Sequence, residues 1–558
     1  VKPYYKEKRF ANFRELINYS TKKYKKKIAF HFHAQNGALE SIYYKTLRES
    51  YYRLCSFMLD CGLGGKRIAV VGRNCYEWVL SYLCASTVGV VVPIDKELHA
   101  DDVENYLRDS DCSAVCTDGK IKLSSDNNRL VIDFKALREL SDGARYNIGK
   151  YFGEKYPINE KRVDAVELPK DKMQVLIFTS GTTGSSKGVC LSQFNICSNI
   201  HSTVSMVKIT HADRTLSVLP LHHTYECTLN CLLLLSRGAC ITYADSISKL
   251  ARNFTEYSPT VLVVVPALLK FLDKRISKTI AADCPKKYKE LYETLSLAAA
   301  LGKTPYLIRK IICMKVLKSL GGKLRLFIVG AADLDTTIVA DFNALGIRTL
   351  QGYGLTECAP LLAGNNDFYA DPASTGRPIP GVELKINQPN ADGIGEILAK
   401  GDNIMLGYFN DDDATNRVMR GGWFHTGDLG CLDKNGALFI KGRIKNVIVT
   451  ENGKNVYPEE LETRLAQYSE IGEVLIVSAE YKGSVSVKAK IFPNLDFIKE
   501  KLGYLPSTEE IQRAVQYVIA EVNSKIPSYK HIQIIEILSD AFEKTTTQKI
   551  KRFGANIV

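Results

Sequence analysis

Short, continuously apolar runs separated by longer stretches of helical periodicity dominate the first two thirds of the chain. Arg67-Ile68-Ala69-Val70-Val71, Val90-Val91-Val92, Val261-Leu262-Val263-Val264-Val265 and Leu324-Arg325-Leu326-Phe327-Ile328-Val329 do not alternate with polar residues. A strand that is apolar on both sides needs cover on both faces, so these runs predict buried, mostly parallel strands with helices between them, an α/β fold. Residues 78–94 form the longest apolar stretch and predict a helix turning into the strand at 90–92. Gly89 and Pro93 interrupt it, whereas a membrane-crossing helix needs about 20 uninterrupted apolar residues. From about Gly376 the texture changes to brief strands punctuated by Asn390-Ala391-Asp392-Gly393, Asn410-Asp411-Asp412-Asp413 and Asp433-Lys434-Asn435-Gly436. That spacing predicts a small antiparallel β subdomain. Residues 284–322 are helical in pattern and rich in lysine, which predicts a surface excursion between strands. No fixed-period repeat is present.

Composition narrows the class. A chain of 558 residues exceeds what one core supports, which predicts a large body and at least one smaller unit. Hydrophobic content of 45% and charged content of 24% are those of a globular protein, and nothing in the sequence suggests disorder over a long span. The formal net charge of +13 resides in the body, since residues 446–558 hold 14 Lys+Arg against 15 Asp+Glu. A basic body attracts phosphorylated small molecules, an anionic membrane surface or an acidic protein, and charge alone does not choose among them. The densest run, Lys22-Lys23-Tyr24-Lys25-Lys26-Lys27, predicts a solvated surface segment, with peripheral membrane or carrier contact as the alternative. No basic module interleaved with aromatics points to nucleic acid. Fifteen cysteines, an odd number scattered over residues 55–431, fit a reducing cytoplasm rather than a disulfide framework. Cys112/Cys116 and Cys227/Cys231 lack a second pair or histidines at ligand spacing, so no metal is assigned to them.

Candidate chemistry concentrates at 175–188, where an apolar strand enters Thr179-Ser180-Gly181-Thr182-Thr183-Gly184-Ser185-Ser186-Lys187-Gly188. Glycines let backbone amides close around oxyanions, the hydroxyls add donors and Lys187 adds a point charge, so the loop suits phosphate. The nucleotide P-loop is excluded by spacing, which would require glycine at Ser186 and a hydroxyl at Gly188. An ordinary loop between strand and helix is the plainer alternative. In Gly352-Tyr353-Gly354-Leu355-Thr356-Glu357 the glycines permit close approach of a ligand, and Glu357 offers hard oxygen suited to magnesium. A dinucleotide fingerprint is excluded there because Glu357 replaces the third glycine. Asp428, following Gly427 in an expected loop, is able to accept both hydroxyls of a ribose, and Arg443 is a forked donor for sugar or phosphate. His222 and His223 stand beside apolar segments, where they are either satisfied core groups or part of a pocket.

These motifs, with Trp423-Phe424-His425-Thr426-Gly427-Asp428-Leu429-Gly430, Gly442-Arg443-Ile444-Lys445-Asn446 and Lys544-Thr545-Thr546-Thr547-Gln548-Lys549-Ile550, occur in one order along the chain. That order resembles the adenylate-forming superfamily: acyl-CoA synthetases, peptide-synthetase adenylation domains and beetle luciferases. Residues 74–95 resemble its N-terminal part. The resemblance implies an N-terminal adenylation domain over 1–444, built of two α/β sheets plus a small β-barrel subdomain at about 376–440. A small, mobile α+β domain over 445–558 would follow, with its hinge at Lys445.

The resemblance also implies roles. Thr179, Ser180, Gly181, Thr182, Thr183, Gly184 and Lys187 would hold the phosphates of ATP, while Gly330, Ala331 and Ala332 would flank adenine. Gly352, Tyr353 and Gly354 would approach the nucleotide, with Tyr353 near adenine. Thr356 would meet the α-phosphate, and Glu357 with Thr179 would bind Mg2+. Asp428 and Arg443 would take the ribose, and His223 would line the carboxylate end of an acyl pocket. Lys549 would bridge carboxylate and α-phosphate, and Gly453 would let the pantetheine arm of CoA pass without a Cβ in its way. Glu543 and Gln548 depart from the proline and glycine usual around that lysine. The implied activity is fatty acid–CoA ligation through an acyl-AMP, with acyl carrier protein as the alternative acceptor. A non-catalytic adenylate-binding protein is a third reading, and the retention of Lys187, Glu357, Asp428, Arg443 and Lys549 argues against it.

Overall fold

The strand Val261–Val264 is buried at all four positions, and its surroundings explain why its sequence is apolar throughout. A computed structural model of the chain describes residues 2–33, 38–123, 129–134, 156–179, 187–330, 334–450, 454–481, 484–544 and 550–552. In it Val261–Val264 lies inside a nine-stranded sheet, between Leu326–Val329 and Arg214–Ser217 and parallel to both. Arg348–Gly354 extends the parallel run, and Leu361–Gly364 then returns antiparallel to it. A second sheet of seven strands is built around Arg67–Val71, Val90–Ile94 and Cys112–Thr117, all parallel. The continuous apolar runs are therefore interior strands of two parallel-centred sheets.

Helix Tyr76–Val88 is buried at every position and leads into Val90–Ile94. The longest apolar stretch is thus a core helix with its strand. Among the described residues no helix is long and apolar enough to cross a membrane. All fifteen cysteines are free thiols.

The lysine-rich stretch differs from its expected form. Helices Pro266–Asp283, Lys286–Thr294, Leu297–Lys303 and Tyr306–Ser319 do connect Val261–Val264 to Leu326–Val329. They are more than a surface excursion, because Tyr292, Leu297, Leu301, Ile312 and Val316 are buried in one core with Phe327 and Phe342. The lysines face outward while a second set of apolar residues, four apart, holds the helices down.

The described chain divides into two compact units. The first comprises Val1–Ser180, Ser186–Glu383 and Lys400–Gly422, and contains both large sheets. The second comprises Leu384–Ala399 and the described residues from Trp423 onward. Within the second unit, Trp423–Leu432 pairs antiparallel with residues 395–399 and with Leu438–Arg443, in the brief-strand region that the turn signals mark. Its C-terminal part is a three-stranded sheet of Ile471–Tyr481, Ser484–Pro493 and Ile532–Ile537. Helices Pro458–Leu465 and Thr508–Ser524 bury Leu461, Leu465, Val515, Val518 and Val522 in a core with Ile476, Ala489 and Ile491.

Candidate functional site

The strand Val175–Thr179 pairs antiparallel with Lys187–Leu191, with Thr179 opposite Lys187. The Thr179 hydroxyl donates to the Lys187 carbonyl at 3.4 Å. The glycine-hydroxyl segment therefore joins two strands of one hairpin rather than a strand and a helix, and both its ends are fixed in the sheet. Ser180, Gly181, Thr182, Thr183 and Gly184 lie outside the described residues. The next strand of this sheet, Gly407–Tyr408, pairs with Lys187–Leu191 through Gly407 opposite Cys190 and Tyr408 opposite Val189. This register sets the Lys187 ammonium 4.6 Å from the centroid of the Tyr408 ring, within cation–π range.

Glu357 reaches the same tyrosine from the other sheet. Arg348–Gly354 turns back antiparallel into Leu361–Gly364, and Leu355 N donates to Pro360 O at 2.8 Å. The turn closes so tightly at Gly354 that a Cβ there would lie 1.9 Å from Pro360 O. Only glycine fits. The turn leads into a short 3-10 segment, Thr356–Cys358, on which Thr356 and Glu357 are half-buried. Glu357 Oε1 accepts from the Tyr408 hydroxyl at 2.9 Å, and the Glu357 carbonyl accepts from Met405 N at 2.8 Å. Lys187 and Glu357, 170 residues apart in sequence, thus share one aromatic side chain. No motif in the sequence marks Tyr408.

A carboxylate and a hydroxyl are oxygen donors of the kind magnesium takes, and Glu357 and Thr179 supply them. Among the described residues no group of three or more His, Cys, Asp or Glu side chains forms a metal cluster.

A second cluster in the first unit surrounds the paired histidines. His222 and His223 have ring centroids 4.0 Å apart. Burial, with Lys96 adding to it, pushes His222 down to about 3, so its imidazole is neutral and its 3.6 Å approach to Asp95 joins a neutral ring to a carboxylate. Asn74 fixes this turn, donating to the Leu219 carbonyl at 2.6 Å and accepting from Leu221 N at 3.2 Å. The 74–95 segment is thereby connected to the histidine turn. The next residues form a π-helix, Tyr225–Leu232, a form that recurs at functional sites.

Its first two side chains have contrasting duties. The Tyr225 hydroxyl donates to the Val264 and Ile328 carbonyls at 3.2 and 3.0 Å. Its ring then lies so close to Gly330 that a Cβ there would stand 3.0 Å from it. Ala331 and Ala332 lie outside the described residues. Glu226 is fully buried, and its Oε1 accepts from Ser217 Oγ at 2.5 Å and Asn230 Nδ2 at 2.7 Å. Burial pushes its carboxyl up to about 8 against the lowering effect of those two bonds. The other oxygen, Oε2, has no hydrogen-bond partner among the described residues. Sequence reasoning missed Glu226.

In the second unit Asp428 is a strand residue, within Trp423–Leu432, and not the loop residue that Gly427 suggests. It stands directly opposite Arg443, whose Nε lies 2.9 Å from Asp428 Oδ1. Asp428 is buried while Arg443 is 43% exposed, an arrangement in which a buried acceptor is aimed by a partly solvated fork. Lys445 is exposed in the 3-10 turn Ile444–Asn446, and Asn446 donates to Glu459 at 2.5 Å. Ile448–Val449 then pairs with Asn455–Val456 as a hairpin; Gly453 lies outside the described residues. Glu460, in the first turn of helix Pro458–Leu465, is held below its ordinary range despite burial by Lys530 at 2.6 Å and Arg464 at 3.2 Å. Lys549 also lies outside the described residues. The residues flanking it are anchored: Lys544 pairs with Ile550, Lys544 Nζ meets Glu473 at 2.5 Å, and Arg552 pairs with Glu462.

Comparison with known proteins gives three concordant results. The sequence profile described as "AMP-binding enzyme" matches residues 17–409. The chain is 28% identical over 539 residues to long-chain-fatty-acid–CoA ligase 1 of Cavia porcellus, covering 87% of this chain and 76% of that one. It is 27% identical over 486 residues to the long-chain-fatty-acid–CoA ligase of Escherichia coli O157:H7, covering 80% of each. Among solved structures, ATP-bound MatB from Rhodopseudomonas palustris superposes with a TM-score of 0.73 at 21% identity, covering 96% of this chain and 97% of that one. The o-succinylbenzoate CoA synthetase MenE of Bacillus subtilis, in complex with its acyl-adenylate, gives 0.74 at 21% identity over 98% of each chain. At that identity the structural likeness establishes the fold alone.

Proposed function

The chain belongs to the AMP-binding enzyme family, and we propose that it is an AMP-forming acid–thiol ligase that activates a medium- or long-chain fatty acid and transfers it to CoA. The names of its relatives support this class of substrate and acceptor. The observation that carries the reading is the convergence of Lys187 and Glu357 on Tyr408. It supports one polyphosphate site served by the glycine-hydroxyl hairpin and by the 352–357 turn.

A free carboxylate acylates poorly because its leaving group would be oxide. In the proposed first step a carboxylate oxygen bonds to the α-phosphorus of ATP, the bond from that phosphorus to the pyrophosphate oxygen breaks, and acyl-AMP remains. The chain's contribution is positioning and charge neutralisation rather than covalent catalysis. Lys187 and the hydroxyls of residues 179–183 hold the outgoing phosphates, Thr356 meets the α-phosphate, and Lys549 spans the carboxylate and the α-phosphate. Gly330, narrowed by Tyr225, and Tyr353 receive adenine, while Asp428 and Arg443 take the ribose. His223 lines the carboxylate end of the acyl pocket beside the neutral His222. Glu357 and Thr179 would hold magnesium, which supplies positive charge to the triphosphate.

In the second step the thiol of pantetheine gives up its proton to solvent and attacks the acyl carbonyl, the thioester C–S bond forms, and the carbonyl–oxygen bond breaks to release AMP. Rotation at Lys445 withdraws Lys549 and brings Gly453 to the site, so one pocket serves both steps by exchanging a wall. The test is a panel of carboxylates of graded length with CoA and acyl carrier protein offered in competition, following AMP and the thioester by mass spectrometry. Acyl-CoA from medium or long chains is expected. A product on the carrier protein alone would reassign the acceptor, and AMP release with no acid dependence would overturn the ligase reading.

A further inference from the structure

Helix Tyr306–Ser319 has two apolar faces, and one of them is turned outward. Ile312 and Val316 are buried in the core described above. On the opposite side Leu307 is 71%, Ile311 51% and Met314 53% exposed. At about 100° per residue these three positions fall in one narrow stripe along the helix. Single exposed apolar residues are ordinary on protein surfaces, but three on consecutive turns form a contiguous ridge. By the same geometry Lys310 and Lys315 flank the ridge on its two sides and Lys318 continues it, and all three are exposed. Residues 303–323 hold six Lys+Arg and no Asp or Glu.

We infer that this face docks on an anionic lipid bilayer, with the helix lying in the plane of the headgroups. Leu307, Ile311 and Met314 enter the upper acyl region, and Lys310, Lys315 and Lys318 meet lipid phosphates. The helix has 14 residues, about 21 Å at 1.5 Å per residue, so it lies on a bilayer and does not cross it. A second copy is a poorer occupant. Two such faces meeting would oppose lysine to lysine with no acid in 303–323 to pair with them, whereas an anionic bilayer supplies both an apolar phase and negative charge. The inference stands apart from the ligase reading, since docking requires no chemistry.

The experiment is flotation of the full chain with vesicles of phosphatidylcholine alone and with phosphatidylcholine containing a third phosphatidylglycerol. Flotation with the anionic vesicles only, reversed by high salt, is expected. The pair Ile311→Asp with Met314→Asp should weaken it tenfold or more, and the triple change Lys310→Gln, Lys315→Gln, Lys318→Gln about a hundredfold. Thermal melting should stay unchanged in both, because all five side chains are exposed. Equal flotation with neutral and anionic vesicles, variants that bind like the parent chain, or a dimer in light scattering that the aspartate pair dissolves would overturn the assignment.

Discussion

The phenol of Tyr408 donates a 2.9 Å hydrogen bond to Glu357 Oε1 while its ring faces the ammonium of Lys187. A carboxylate fixed in this way keeps one orientation, which is what a cation ligand requires. Tyr408→Phe removes the hydroxyl and keeps the ring, so Lys187 stays in place. A hydrogen bond to a charged group contributes about 1.5–3 kcal/mol, and carboxylate-dependent pyrophosphate exchange should fall about tenfold or more. Half-saturation by magnesium should rise, and the melting temperature should fall by no more than a few degrees. An unchanged magnesium requirement would separate Tyr408 from the proposed site.

Two glycines of the first unit should respond to alanine in opposite directions. At Gly354 the added methyl would stand 1.9 Å from Pro360 O, in the turn that carries Glu357. Gly354→Ala should therefore destabilise the chain by about 3 kcal/mol or more. Around Gly302, within helix Leu297–Lys303, a Cβ meets nothing within 4 Å, and Gly302→Ala should stabilise by about 0.5–1 kcal/mol through helix propensity. Thermal or urea melts of the two variants decide the matter.

Glu226 gives the chain a pH signature. Its carboxyl ionises near its ordinary 4.5 in the unfolded chain and at about 8 in the fold. Between those values the unfolded state has lost a proton that the native state retains, so stability declines as pH rises from about 4.5 to about 8 and then levels. Glu226→Gln keeps an acceptor for Ser217 and Asn230 and has nothing to ionise. It should flatten that decline and be more stable than the parent at pH 8 by about 2–4 kcal/mol, with little difference below pH 4.5. Urea melts across this range would contradict the account if the two chains ran parallel.

The parts of this picture that the sequence reveals are those set by a continuous local pattern. Val261–Val264 and Arg67–Val71 are legible because an uninterrupted apolar run has no other stable place than a covered sheet. The hairpin partner Lys187–Leu191 is not, since it opens on lysine and glycine and gains its strand form from pairing with Val175–Thr179. Tyr408 is equally hidden: its strand has two residues, and its meaning arises from which strand lies beside it. Asp428 misleads in the other direction: Gly427 does adopt a left-handed φ of 70°, but as an irregularity inside Trp423–Leu432, which resumes at once with Asp428 opposite Arg443. In 306–319 the lysines draw attention to the surface and conceal the buried Ile312 and Val316.

The wall-exchange scheme separates two lysines by step. Lys549→Ala should suppress carboxylate-dependent pyrophosphate exchange by about a hundredfold or more while leaving thioester formation from supplied acyl-adenylate largely intact. Lys445→Pro, which restricts the backbone in the 444–446 turn, should slow thioester formation more than exchange. Identical profiles for the two variants would remove the basis for assigning them different steps.

The most direct measurement of the central claim is ATP–pyrophosphate exchange by the purified chain, with fatty acid and magnesium present and CoA omitted. The account predicts exchange that requires both the acid and magnesium, yields AMP when CoA is added, and collapses in Glu357→Gln. Exchange that proceeds without the acid, or nucleotide turnover that ends in ADP and phosphate, would contradict it.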